Sequence, residues 1–130
     1  MTESGRLVGI PVLVVDDDPD IRELMTIAME SEGASTTIAQ DGNQAITALK
    51  SSTPQLVVLD MMLPHRSGFL VMEEIQAMPS PPPVIMVTAN EGRRHKAYAE
   101  SLGVSAYLNK PVPMGLLLDV AAELLAQQGD

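Results

Sequence analysis

Three short runs, Val12-Leu13-Val14-Val15, Leu56-Val57-Val58-Leu59 and Val84-Ile85-Met86-Val87, are apolar without alternation. A strand of that kind hides both of its faces, which is the mark of the centre of a parallel sheet. Two weaker strand signals, Thr36-Thr37-Ile38-Ala39 and Ala106-Tyr107-Leu108, complete a set of five, with the first strand drawn from Ile10 to Val15. Helical patterns lie between them. Asp18-Pro19 is a cap followed by a first-turn proline. Ile21, Leu24, Met25, Ala28 and Met29 then form one apolar stripe, and Gly33 is the stop. Asp41 with Gln44 resembles a capping box, and Ala45, Ile46 and Leu49 follow as the buried face. Phe69 to Met78 reads as a helix with Leu70, Met72, Ile75 and Ala77 or Met78 inward. A stiff connector, Pro79-Ser80-Pro81-Pro82-Pro83, comes next. A polar helix is expected over about Glu91–Leu102, and a last one over about Met114–Gln127 with Leu117, Val120, Ala121, Leu124 and Leu125 as its stripe.

The order βαβαβαβαβα predicts an α/β fold, a parallel sheet with helices on both faces. At 130 residues a single domain is the natural reading. Its expected limits are 10–127, with a flexible lead-in at 1–9 and a short tail at 128–130. The chain has no cysteine, which excludes disulfides and thiolate metal sites. A net charge of −9 argues against direct nucleic-acid binding. No signal-peptide pattern and no run near the roughly 20 residues of a membrane span is present, so a cytoplasmic location with no membrane partner is expected.

The strand ends carry the chemistry. The first run stops in Asp16-Asp17-Asp18, the third strand stops in Asp60, the fourth in Thr88, and the fifth is followed by Asn109-Lys110-Pro111. In an open α/β sheet, ligands bind beyond the carboxyl ends of the strands. Asp18 is accounted for as a helix cap and Asp20 as a first-turn acid. Asp16, Asp17, Asp60, Thr88 and Lys110 are not explained so simply. Two carboxylates about 4 Å apart repel by about 1 kcal/mol in water and about 4 kcal/mol at an effective dielectric of 20. Three in one cleft therefore need a cation or a proton. An oxygen-only donor set suits a hard divalent ion, and magnesium suits a shallow site shared with a phosphate. Lys110 adds a positive point charge and Thr88 a hydrogen-bond donor, which together are the equipment of phosphoryl transfer. An aspartate can serve as nucleophile, and Asp60 is the best candidate.

The set Val14-Val15-Asp16-Asp17, Leu59-Asp60-Met61-Met62-Leu63-Pro64, Val87-Thr88-Ala89 and Asn109-Lys110-Pro111 resembles the receiver domain of two-component response regulators. The resemblance runs from about Ile10 to Gln127. It implies a flavodoxin-like, doubly wound, five-stranded parallel sheet of order 2-1-3-4-5, an order whose general rule is illustrated by a chemotaxis receiver. It implies that Asp60 takes a phosphoryl group from a histidine kinase or histidine phosphotransfer protein. Mg²⁺ would be held by Asp17, Asp60 and the backbone carbonyl of Met62, with Asp16 acting mostly through a metal-bound water. Lys110 would pair with Asp60 at rest and with the phosphoryl oxygens afterwards, across a cis Lys110–Pro111 bond. Thr88 and Tyr107 would be the switch pair. A downstream protein would dock on the face made by the fourth helix, fifth strand and fifth helix, and the chain would be a monomer or a phosphorylation-dependent dimer. It would be a switch that gains and loses its own phosphoryl group, not a turnover enzyme, and either a stand-alone receiver or one part of a longer protein.

Some positions stand apart. Ser67 replaces an acid that relatives often carry before the glycine. Met62 and Asn90 occupy the places whose side chains, in this family, tune hydrolysis of the phosphoryl group; Met62 is apolar and cannot orient a water. Arg93-Arg94-His95-Lys96 is either a solvated helix face or part of the docking face, and His65 reads as a surface histidine. Three rival readings exist. A phosphohydrolase of the haloacid dehalogenase type would use Asp16 as nucleophile and Asp18 as acid/base, but Pro19-Asp20 breaks its motif. A calcium loop on Asp16, Asp18 and Asp20 fails because Ile21 and Ile27 replace the required glycine and acid. A docking or dimerisation module with little phosphorylation control is the third.

Overall fold

Five strands alternate with five helices: β1 (Pro11–Val15), α1 (Pro19–Ser31), β2 (Ser35–Ala39), α2 (Gly42–Ser52), β3 (Leu56–Leu59), α3 (Gly68–Gln76), β4 (Val84–Thr88), α4 (Arg93–Ser101), β5 (Ala106–Asn109) and α5 (Met114–Gln128). This is a computed structural model, and it describes residues 5–65, 67–89 and 93–128. All pairings are parallel and the strand order is β2-β1-β3-β4-β5. The flavodoxin-like sheet expected from the sequence is the observed one. No described helix is long and apolar enough to cross a membrane.

The core follows from the two-residue period of the strands. Leu13, Val15, Val57, Leu59 and Met86 point to one face, where Ala45, Leu49, Val71, Met72, Ile75 and Ala99 of α2, α3 and α4 cover them. Val12, Val14, Leu56, Val58, Ile85 and Val87 point to the other, against Met25, Met29, Leu117 and Ala121 of α1 and α5. Strands β1, β3 and β4 are therefore buried almost throughout, whereas only Ala39 is buried in β2 and no residue is in β5. That difference explains why three runs were apolar without interruption and two were not.

The helix starts are set by side chains. Asp18 accepts the amides of Asp20 and Ile21, Asp41 accepts that of Gln44, and Ser67 accepts that of Leu70. Gly33 closes the turn after α1 at φ +95°, where an added Cβ would also strike Val8.

The structure corrects several details. Leu24 and Leu70 are exposed, because the buried stripes run through Met25, Ala28 and Met29 in α1 and Val71, Met72 and Ile75 in α3. Met25, Ala28, Met29, Met72 and Ile75 are buried as expected, while Leu24 and Leu70 lie at the edge of their rows and Val71 takes the buried place beside Met72. Of the alternatives Ala77 and Met78, Met78 packs against the core and Ala77 is exposed. Within the expected lead-in, Leu7 is packed while Arg6, Val8 and Gly9 are exposed. Leu7 is fully buried against the α1–α5 side of the core, and its amide donates to Glu32 O at 2.9 Å. Arg6 reaches Asp119 of α5 at 2.8 Å, and its amide donates to Glu32 Oε1 at 2.8 Å. A lone leucine in a polar segment has no periodicity to reveal its burial. Truncating it, Leu7→Ala, is expected to lower stability by about 2–4 kcal/mol, the range for an unrelaxed leucine cavity. Urea denaturation of the full chain checks this, and a loss under 1 kcal/mol would mean the segment contributes no core.

Candidate functional site

The register of the sheet carries the strand ends to one rim. Val15 lies beside Leu59, Leu59 beside Met86, and Thr88 beside Asn109. The next residue of each strand projects past the last ladder bond, so Asp16, Asp60 and Lys110 meet there. Asp16 and Thr88 are fully buried, Asp60 nearly so, and Asp17 is exposed.

Lys110 joins the acids. Its Nζ is 2.7 Å from Asp16 Oδ2 and 3.2 Å from Asp60 Oδ2. The ammonium bridges the two acids, donating to Asp60 Oδ2 and lying closer still to Asp16 Oδ2. The expected resting pair of Lys110 with Asp60 is thus present but shared with Asp16. The other oxygens are held locally. Asp16 Oδ1 accepts the Asp18 amide at 2.9 Å, and Asp60 Oδ1 accepts the Met62 amide at 3.0 Å. Lys110 is placed by its own amide on Thr88 O and by a cis Lys110–Pro111 bond.

The electrostatics follow. Burial pushes the Asp60 carboxyl above its ordinary range; the Met62 amide and the Lys110 charge pull it down, Asp16 pushes it up, and the net shift is upward. Burial pushes the Lys110 ammonium down, but Asp16 and Asp60 outweigh that and the net shift is upward. Burial raises the Tyr107 hydroxyl.

The donor set fits a small, hard cation. Asp16, Asp17 and Asp60 each offer a carboxylate oxygen within 4.8 Å of the others. All donors are oxygens, and Asp17 leaves one side open to solvent.

Of the residues singled out in the sequence, Asp16, Asp17, Asp60 and Lys110 are brought together. Thr88 sits at the end of β4 in the same rim, and Tyr107 is half-buried on β5 beside Met86. Asn90 lies outside the described residues, as do the side chains of Arg93 and Arg94. Two supporting residues escaped sequence reasoning. Arg22 Nη1 donates to Asp16 O at 2.9 Å, fixing the loop that carries the acids. Gly68 packs so tightly that a Cβ would lie 2.5 Å from Asp60 O. A glycine opening a helix eight residues after a strand-end acid is a usable signal for such close approach; an arginine inside a helix is not.

A family model described as the response regulator receiver domain matches residues 12–122. The chain belongs to the response regulator receiver family. Among curated relatives, the receiver is 39% identical over 114 residues to the DNA-binding response regulator MtrA of Mycolicibacterium smegmatis, covering 87% of this chain and 50% of that one. The chain thus spans half the length of that relative. It is also 35% identical to an uncharacterised 14.6 kDa protein of Leptolyngbya boryana, covering 92% of this chain and 94% of that one. Among solved structures, the signal receiver domain of a LuxO repressor protein from Vibrio parahaemolyticus superposes with a TM-score of 0.86 at 28% identity, covering 92% of each chain. The receiver domain of NtrX from Brucella abortus does so with a TM-score of 0.82 at 31% identity, covering 88% of this chain and 98% of that one. Receivers of this family act in phosphorylation-dependent signalling, and the acidic pocket of this one fits such a site.

The upward shift of Asp60 has a measurable sign. The folded receiver holds that proton more tightly than the unfolded chain, so this group supports folding most at low pH and less as pH rises through its folded-state value. In metal-free protein, Asp60→Asn is expected to raise the urea midpoint at pH 7, with the gap closing toward pH 4. A variant less stable than wild type at pH 7 would contradict this. Lys110→Ala, which leaves two buried acids facing each other, is expected to cost about 3 kcal/mol in the same assay.

Proposed function

We propose that the receiver is a switch set by phosphorylation of Asp60, with a histidine kinase or histidine phosphotransfer protein as donor. One observation carries the reading: a buried carboxylate at the end of the central strand β3, held by the Met62 amide and the Lys110 ammonium inside a ring of acids. Burial makes Asp60 a more basic and hence better nucleophile. An Asp60 oxygen attacks phosphorus, the O–P bond forms, and the N–P bond to the donor histidine breaks. Mg²⁺, when bound, neutralises charge on the phosphoryl oxygens; Asp17, Asp60, the Met62 carbonyl and, through water, Asp16 would hold it. Lys110 moves from the Asp16–Asp60 pair to a phosphoryl oxygen. Thr88 donates a hydrogen bond to another, and Tyr107 follows it inward, so that a local charge biases a two-state element.

The surroundings support both kinds of partner. An apolar groove of 390 Å³ lined by Ile21, Leu24, Met25, Val112 and Met114 adjoins Lys110, and suits a donor helix that must bring its phosphohistidine to the rim. The face of α4, β5 and α5 carries the half-buried Tyr107, and suits the downstream protein or a second copy. The chain is proposed to be a switch without substrate turnover.

Incubation with acetyl phosphate and Mg²⁺ is expected to add one phosphoryl group to Asp60, seen by mass spectrometry, and none to Asp60→Asn. Retention of the phosphoryl group in that variant would sink the assignment. Labelling on Asp16 instead would favour the hydrolase reading.

A further inference from the structure

The two edges of the sheet are built differently. β5 is followed at once by Lys110 and the cis Lys110–Pro111 bond, and a charge and a proline are common guards of a free edge. β2, Ser35-Thr36-Thr37-Ile38-Ala39, has neither, and its Thr36, Thr37 and Ile38 are all β-branched. It is paired with β1 alone. The Ser35 amide donates to Ile10 O and Ala39 O accepts the Asp16 amide, so Ser35, Thr37 and Ala39 turn their N–H and C=O groups toward β1. Thr36 and Ile38 turn theirs outward, and no described segment pairs with them. The flanking amides are occupied. Ala34 N donates to Met29 O at 3.2 Å, and Gln40 N to Gln44 Oε1 at 3.0 Å.

We propose that β2 is a dimerisation edge, pairing antiparallel with β2 of a second copy about a two-fold axis through Thr37. The occupant follows from the hydrogen-bond pattern. Outward-facing residues set opposite each other in an antiparallel ladder exchange both of their bonds. Centring the pair on Thr37 sets Thr36 opposite Ile38 of the second copy, and Ile38 opposite its Thr36, so every outward group is met. A register centred between residues would set outward groups against inward ones. A centre on Thr36 or Ile38 would call on the amide of Ala34 or Gln40, and both are already bonded. A two-fold axis needs a self-complementary patch, and this strand is one.

The side chains agree with that register. Thr36 and Ile38 lie on the α1 side, level with Val12 and Val14, and Thr36 Oγ1 donates to Glu30 of α1 at 2.6 Å. α1 runs opposite to β2, so Ile38 lies toward Ile27, a turn ahead of Glu30. Ile38 is 53% exposed and Ile27 57%. Pairing brings these apolar side chains of both copies toward the axis and sets each Ile38 against a β-branched Thr36. On the α2 side Thr37 meets its own copy and Ser35 meets Ala39. The net charge of −9 opposes association, but the paired strand itself is uncharged. One short strand and one helical turn make a small interface, so the dissociation constant is on the order of 100 μM. Antiparallel pairing points the two acidic rims in opposite directions. The dimer therefore forms without phosphorylation and leaves each rim and each α4–β5–α5 face open.

The test uses the full, unphosphorylated chain. Sedimentation equilibrium from about 10 μM to about 1 mM is expected to show monomer and dimer in exchange. Ile38→Lys puts an ammonium on an exposed position of the edge. It is expected to raise the dissociation constant about tenfold or more, with the circular dichroism spectrum unchanged. Single cysteines then report the register, since the chain has none of its own. Across the axis Thr37 pairs with its own copy at a non-hydrogen-bonded position, where Cα atoms sit about 4.5 Å apart, within the reach of a disulfide. Thr37→Cys is expected to cross-link under mild copper-phenanthroline oxidation about tenfold faster than two controls. Ser35→Cys lies on the same side of the strand but opposite Ala39 of the second copy, and Leu116→Cys lies exposed on α5. A chain still monomeric at about 1 mM, an unchanged dimer in Ile38→Lys, or cross-linking of either control at the rate of Thr37→Cys would each overturn the proposal. Should Ile38→Lys fail to fold, the cysteine rates decide alone.

Discussion

The bridge of Lys110 between Asp16 and Asp60 is the interaction on which the rest depends. A parallel sheet places the carboxyl ends of its strands on one side, and this sequence ends two buried strands in acids. Two carboxylates at that depth, with Asp17 beside them, are tolerable only with a cation between them. Lys110 comes from the far side of the sheet, beyond β5, so the charge balance of the rim also fixes how the β5–α5 loop sits over β4. Structural and chemical requirements coincide in one side chain. The ammonium that balances these acids is also the one that, under the proposed function, would pair with a phosphoryl oxygen.

Burial is distributed to match. The central strands β1, β3 and β4 and the helices α1, α2, α3 and α5 supply nearly all of the core, while α4 contributes Ala99 alone among its described side chains and β5 none. Its other anchor is aromatic. Phe69 at the start of α3 meets Tyr98 edge-on at 4.7 Å and stacks parallel to His95 at 6.4 Å. Among the described side chains, α4 is thus tied to the core by far fewer buried contacts than the elements that hold the acids. Buried packing among the described residues is densest around the acids and thinnest on the side of Tyr107.

Much of this was legible in the chain. The three unbroken apolar runs marked the central strands because burial on both faces leaves no polar positions. The acids and the lysine were legible because nothing in a strand end otherwise requires them. Which side of a helix faces the sheet was less so. Leu24 and Leu70 looked like core residues, yet adjacent apolar positions 100° apart on a helix compete for the same row, and the pattern cannot rank them. Gly68 and Arg22 support the site through backbone approach and a single long side chain, and neither leaves a periodic trace. The sharing of Lys110 between two acids depends on distances of a few tenths of an ångström, which no residue pattern encodes.

The buried Leu7 and the bridge from Arg6 to Asp119 alter where this domain begins in practice. The family match opens at residue 12, and a boundary drawn there looks natural because β1 starts at Pro11. Cutting the chain at that point would remove a side chain that fills the space between α1 and α5 and the only described link from Glu32 across to Asp119. Fusions and chimeras built on this receiver should therefore join ahead of Gly5, since Leu7 and Arg6 extend the α1–α5 layer of its packing.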